Sequence, residues 1–149
     1  MNSFHMEGTA NAPLTDFVTA LVNVEAFAQF VPWVQASRVD KTSVADGASE
    51  IDASLQVSTR AFSGWVSARL TVPKDENRVK IRMTKGPFKL AEVELRLEQG
   101  ASPQQTKVLA DVRYATPLAI YRSLVDKHKR RLFDQLIELF ARRQRSVRA

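Results

Sequence analysis

The chain moves between two hydrophobic rhythms. A short opening stretch puts Phe4 and Met6 on one side, as a first strand would. Residues 11–30 then place Phe17, Val18, Leu21 and Val22 at helical spacing. Asn11 is positioned to cap that helix and Pro13 to sit in its first turn. A break near Asn23 divides the segment into two short helices. Pro32 ends the second, because proline pushes the preceding Val31 away from the α region.

From Trp33 the period becomes two. Ile51, Ala53, Leu55 and Val57 alternate with polar residues, and Asp46-Gly47 supplies the hairpin turn before them. Val66, Ala68, Leu70 and Val72 repeat the pattern, and the PKDEN segment turns the chain. Val79, Ile81 and Met83 follow, then Ala91, Val93, Leu95 and Leu97, then Val108, Ala110, Val112 and Tyr114. Six such runs with short connections predict an antiparallel meander with one buried face. After Pro117 the helical period returns in a long stripe of Leu118, Tyr121, Leu124, Val125, His128, Leu132, Leu136 and Phe140. Lys127, Lys129, Arg130, Asp134 and Glu138 fall on the opposite face, and the last eight residues, RRQRSVRA, read as a fraying end.

The predicted order is strand, two short helices, six strands and a long helix, an α+β fold in one domain of residues 1–149. One straight helix must cover the concave face of a curved sheet of about seven strands. Such a pair does not close completely. The gap is either filled by large side chains or left as an apolar cavity.

Composition narrows the chemistry. Hydrophobic content of 44% and charged content of 26% are those of a globular protein. No apolar run approaches the roughly 18 residues that cross a bilayer. The first ten residues lack the pattern of a secretory signal, so the expected location is cytoplasmic, with a peripheral place at the inner membrane left open. With no cysteine and only His5 and His128, neither a metal site nor a metal cofactor is expected. No nucleophile motif or phosphate loop is present, so no catalytic residue is assigned and a non-enzyme is expected. Glu92 and Glu94 share a strand face with Arg96, which reads as solvated surface.

Charge is unevenly distributed. Residues 1–116 hold 13 Lys/Arg and 13 Asp/Glu, whereas residues 117–149 hold nine and three, so the whole excess of +6 lies in the last segment. Lys127, Lys129, Arg130 and Arg131 mark either an anionic partner or a solvated helix face.

Residues 24–39 are the most distinctive stretch: VEAFAQFVPWVQASRV crowds Phe27, Phe30 and Trp33 around a helix end. That segment, with KGPFKLAEVELRLE and DVRYATPL, resembles the coenzyme Q-binding START-domain family of polyketide cyclase-like, helix-grip proteins, which includes the ribosome association toxin branch. The first motif is matched by Val24, Glu25, Phe27, Phe30, Val31, Pro32, Trp33, Ser37, Arg38 and Val39. Gly86, Pro87, Phe88, Lys89, Glu92, Glu94 and Arg96 match the second. Val93 and Leu95 depart from it, standing where the family usually has glycine and tryptophan. Its middle-strand Ser-Arg pair is spread over Ser67, Ala68 and Arg69.

The resemblance implies a START/Bet v 1-like helix-grip fold with an apolar pocket under the long helix. It also implies a non-catalytic carrier of a lipid, with an isoprenoid quinone such as ubiquinone as leading ligand. The walls would be Leu55, Val57, Val93, Leu95, Leu118, Val125 and Leu132. Tyr114, Tyr121 and His128 would be the available donors to quinone oxygens. Phe27, Phe30, Trp33 and Phe88 would form either a mouth or a plug. Two alternatives stay open: a ribosome-associating regulator using the basic helix, and a polyketide cyclase/aromatase-like enzyme.

Overall fold

The structure, a computed structural model, describes residues 2–59, 62–74, 77–116 and 118–148, and the side chains of these up to residue 144. Strand β1 (Asn2–Ala10) is followed by helix α1 (Leu14–Val22), a 3-10 turn (Val24–Ala26) and the single-turn helix α2 (Phe27–Phe30). Six strands follow: β2 (Val34–Ala45), β3 (Ala48–Ser58), β4 (Ser63–Pro73), β5 (Arg78–Lys85), β6 (Leu90–Gln99) and β7 (Thr106–Ala115). Helix α3 (Ala119–Arg148) ends the chain. The expected PKDEN turn at Asp75 and Glu76, and Pro117 before α3, lie outside the described residues.

All seven strands form one antiparallel sheet in the order β1-β7-β6-β5-β4-β3-β2. The β2–β3 hairpin turns at Asp46 and Gly47, both with positive φ (53° and 76°), as the Asp-Gly pair predicts. Register shifts in β2, at Val34/Ala36 and Val39/Lys41, and in β4, at Ser67/Ala68, bend the sheet. This fold is the helix-grip architecture expected from the sequence.

Helix α3 covers the concave face and approaches α1 and β1 most closely. Gly8 permits this approach: a Cβ there would lie 2.6 Å from Cδ1 of Ile137 and 3.2 Å from Cε1 of Phe133. The buried stripe is therefore rotated from the one expected. Phe133, Ile137 and Ala141 join Leu136 and Phe140 in the core contacts, while His128 is exposed and Leu132 is 44% exposed. On the expected solvated face, Lys129 is partly covered, and Arg130 stays exposed while reaching back to β1. Lys129 Nζ lies 4.7 Å from the Phe4 ring centre, and Arg130 donates to the Glu7 carbonyl at 2.9 Å. Lysine and arginine carry apolar stems that can cover a neighbour, and a hydrophobic/polar pattern does not register them.

Two termini also differ from expectation. Pro13, not Asn11, occupies the N-cap position of α1, with no side-chain cap; the Pro13 carbonyl accepts from Phe17 N at 3.0 Å. The last residues, expected to fray, continue α3 to Arg148.

Candidate functional site: a cleft beneath the long helix

The concave face of the sheet has two unequal halves. A band of Ala53, Leu70, Val79, Leu97 and Val108 is sealed by Phe17, Ala20 and Leu21 of α1 and by Ile137, Phe140 and Ala141 of α3. Beside this band runs the cross-strand row Phe4–Val112–Val93–Ile81, joined by register. Every residue of that row is only half-buried. Leu55, Val57, Val66, Met83 and Leu95, on the same face, are also half-buried. These side chains face inward yet keep part of their surface accessible, so the sheet and the N-terminal half of α3 are not fully sealed. Tyr121, Leu124 and Val125 of that half are half-buried, and Leu118 is 50% exposed.

Aromatic groups mark the two ends. Phe140 meets Phe27 at 5.2 Å, Phe30 at 5.4 Å and Phe17 at 6.2 Å between ring centres, all edge to face. Arg143 stacks over Phe30 at 5.1 Å and donates to Gln29 Oε1 at 2.6 Å. Phe27 and Phe30 thus plug the gap at the C-terminal half of α3. Trp33 is half-buried beyond the plug, and its carbonyl accepts from Ser58 N at 2.9 Å.

Near the start of α3 a second group gathers. Phe88 lies 5.7 Å from Tyr114 and 5.9 Å from Tyr121, and Phe4 lies 6.2 Å from Tyr114. Tyr114 is only 3% exposed, and its hydroxyl has no partner of hydrogen-bond geometry. Burial, and after it the nearby Asp126 carboxylate, raise its pKa above 10.0 and keep the phenol protonated.

Of the residues expected from the sequence, Leu55, Val57, Val93 and Leu95 are half-buried on the inner face of the sheet, Phe88 packs on Tyr114 and Tyr121, and Val125 is half-buried on α3. Leu118, His128 and Leu132 are exposed, and Phe27 and Phe30 lie in the plug. One feature escaped the sequence reading. Ser37 donates to the Glu25 carbonyl at 2.7 Å and accepts from Ala28 N at 3.0 Å, tying the short helices to β2. One hydroxyl bonded to two main-chain groups carries no periodic signal.

The outer face of the sheet is polar and ion-paired. Arg113 meets Glu92 at 2.5 Å, Arg78 meets Glu94 at 3.4 Å, and Arg69 meets Asp52 at 2.8 Å. Asp40 accepts from Ser54 at 2.5 Å and from Arg38, and these bonds, Ser54's first, lower its pKa. Arg38 itself stacks over Trp65 at 4.7 Å. A separate groove of about 520 Å³ follows the edge of β1, lined by Arg130, Asp134, Glu138 and Arg142 among others. Its charged lining suits an apolar guest poorly. Among the described residues, no His/Asp/Glu group could hold a metal, and no helix is long and apolar enough to cross a membrane.

Comparison with known proteins agrees with this fold. Residues 11–141 match the family model described as polyketide cyclase / dehydrase and lipid transport. No curated protein sequence matches. Among solved structures, an 18 kDa protein from Caulobacter crescentus is similar with a TM-score of 0.77 and 21% identity, over 99% of each chain. The Zhui aromatase/cyclase from a Streptomyces strain has a TM-score of 0.75 and 15% identity, over 99% of this chain and 96% of that one. A START superfamily protein from Mycobacterium smegmatis has a TM-score of 0.71 and 16% identity, over 91% and 94%. At these identities the likeness is one of fold.

Proposed function

Because the chain belongs to the polyketide cyclase / dehydrase and lipid transport family, we propose that it binds and carries a hydrophobic small molecule beneath α3, with an isoprenoid quinone as the leading occupant. The observation that carries this reading is the half-buried row Phe4–Val112–Val93–Ile81. Inward-facing aliphatic side chains left in contact with water favour a guest that removes it. Each CH₂ buried contributes about 0.8 kcal/mol, so a few prenyl units outweigh the cost of immobilising them. The Tyr114 hydroxyl, buried and lacking a partner, would supply one donor for a quinone oxygen, and Phe88 packs on both Tyr114 and Tyr121. Residual tail would lie along Val93 and Leu95 toward the plug.

Organic extraction of the purified protein, followed by mass spectrometry, tests this. Recovery of a prenyl lipid, and quenching of tryptophan fluorescence when quinone is returned to the extracted protein, are expected. Recovery of no prenyl or acyl compound, with no quinone uptake, removes the reading.

A catalytic reading has one observation in its favour. The Tyr114 phenol, held protonated by burial and lying near Asp126, has no partner and would donate to a carbonyl oxygen that reached it. Polyketide cyclisation on this basis requires turnover of a poly-β-keto substrate, and product formation is its test.

A further inference from the structure

We propose that the end of the fold formed by the β5–β6 turn and the first turn of α3 docks on an anionic lipid bilayer. Two branched aliphatic side chains are bare there: Leu118 is 50% and Ile120 is 65% exposed. They are held beside the turn of residues 86–89. Lys89 N donates to the Ala115 carbonyl at 2.9 Å, and Phe88 packs on Tyr121. The apolar pair is therefore presented by a fixed surface.

Cations surround this pair. Lys85 and Lys89 flank the β5–β6 turn, and Arg122 follows Ile120 by two residues. Lys85, Lys89 and Arg122 are exposed and, among the described residues, make no recorded ion pair. Arg69 with Asp52, Arg130 with Asp134 and Arg142 with Glu138, on other parts of the surface, are each paired with a carboxylate. The nearest acid on α3, Asp126, lies toward Tyr114 and Lys129.

Bare aliphatic groups ringed by unpaired cations match a headgroup layer: Leu118 and Ile120 enter the acyl boundary while the cations meet lipid phosphates. A nucleic acid would use the cations but leave leucine and isoleucine against a polar backbone. The same end carries the mouth of the cleft, so docking would set the cleft against the hydrocarbon.

The test is co-sedimentation with phosphatidylcholine vesicles made with and without phosphatidylglycerol. Sedimentation with the anionic vesicles, weakening as salt rises, is expected. Paired Leu118→Ser and Ile120→Ser should lower partitioning by about tenfold or more. Each of Lys85→Glu, Lys89→Glu and Arg122→Glu should lower it by about fivefold or more. Lys127→Glu with Arg131→Glu, on another face, should leave it unchanged. All altered sites are exposed, and circular dichroism checks that the variants fold. Absence of sedimentation with anionic vesicles overturns the proposal. So does binding indifferent to the tip substitutions, or tip-dependent binding to nucleic acid or an acidic protein without vesicle binding. No cleft ligand enters this assay, so its result is separate from quinone uptake.

Discussion

Gly8 of β1 and Ile137 of α3 face each other at a distance that leaves no room for a methyl group between them. A strand would ordinarily gain from a β-branched residue. Here Gly8→Val should instead destabilise the protein by about 1–3 kcal/mol, because α3 must lift or Ile137 and Phe133 must leave their rotamers. Urea unfolding measures this. An unchanged or raised midpoint would show that the helix does not rest on β1 as described.

Tyr114→Phe removes a buried hydroxyl that lacks a good partner. The fold should be unharmed or stabilised by up to about 1 kcal/mol. Quinone affinity should fall about fivefold or more if the hydroxyl donates to the guest. Thermal melting and fluorescence titration read the two effects separately. A clear loss of stability would mean that Asp126 or another acceptor already completes the bond.

The two halves of α3 should answer differently to truncation. Phe140→Ala opens the plug, where four rings meet, and should cost about 3–5 kcal/mol. Leu132→Ala, at the exposed margin, should cost less than about 1 kcal/mol. Equal penalties in denaturant melts would contradict a helix sealed at one end only.

His5 is held from both sides, with Nδ1 2.8 Å from Asp111 and Nε2 3.2 Å from Glu7. These bonds, Asp111's first, raise its pKa above the ordinary 6.5. The charged ring therefore favours folding fully at pH below about 6.5, and this contribution fades as pH rises through the elevated folded value. Proton NMR should find the midpoint above 6.5 and should find it lowered in Asp111→Asn. A parent midpoint at or under 6.5 would refute the pairing.

The sheet was legible because its signal repeats. Alternation from Ile51 to Tyr114 names the inward face strand by strand, and Asp46-Gly47 marks the hairpin with a conformation few other pairs accept. The rotation of α3 was not legible. It depends on the missing side chain of Gly8 and on the aliphatic stem of Lys129, neither of which counts as hydrophobic in a pattern. Phe27 and Phe30 could be placed inward by spacing. Whether they plugged the gap or lined its mouth turned on Phe140, which lies 113 and 110 residues away in sequence. A curved sheet under a straight helix left open whether the gap would be filled or empty, and the pocket was implied by the family resemblance. Its position toward the N-terminal half of α3 follows from where the aromatic rings happen to meet.

The four-ring stopper around Phe140 has a consequence for traffic. If the proposed guest binds there, a sleeve shut at this end would have a single doorway, so a long guest would arrive tail first and depart head first, retracing its path. Its polar head would stay nearest the threshold throughout, and any length beyond what the sleeve holds would remain outside.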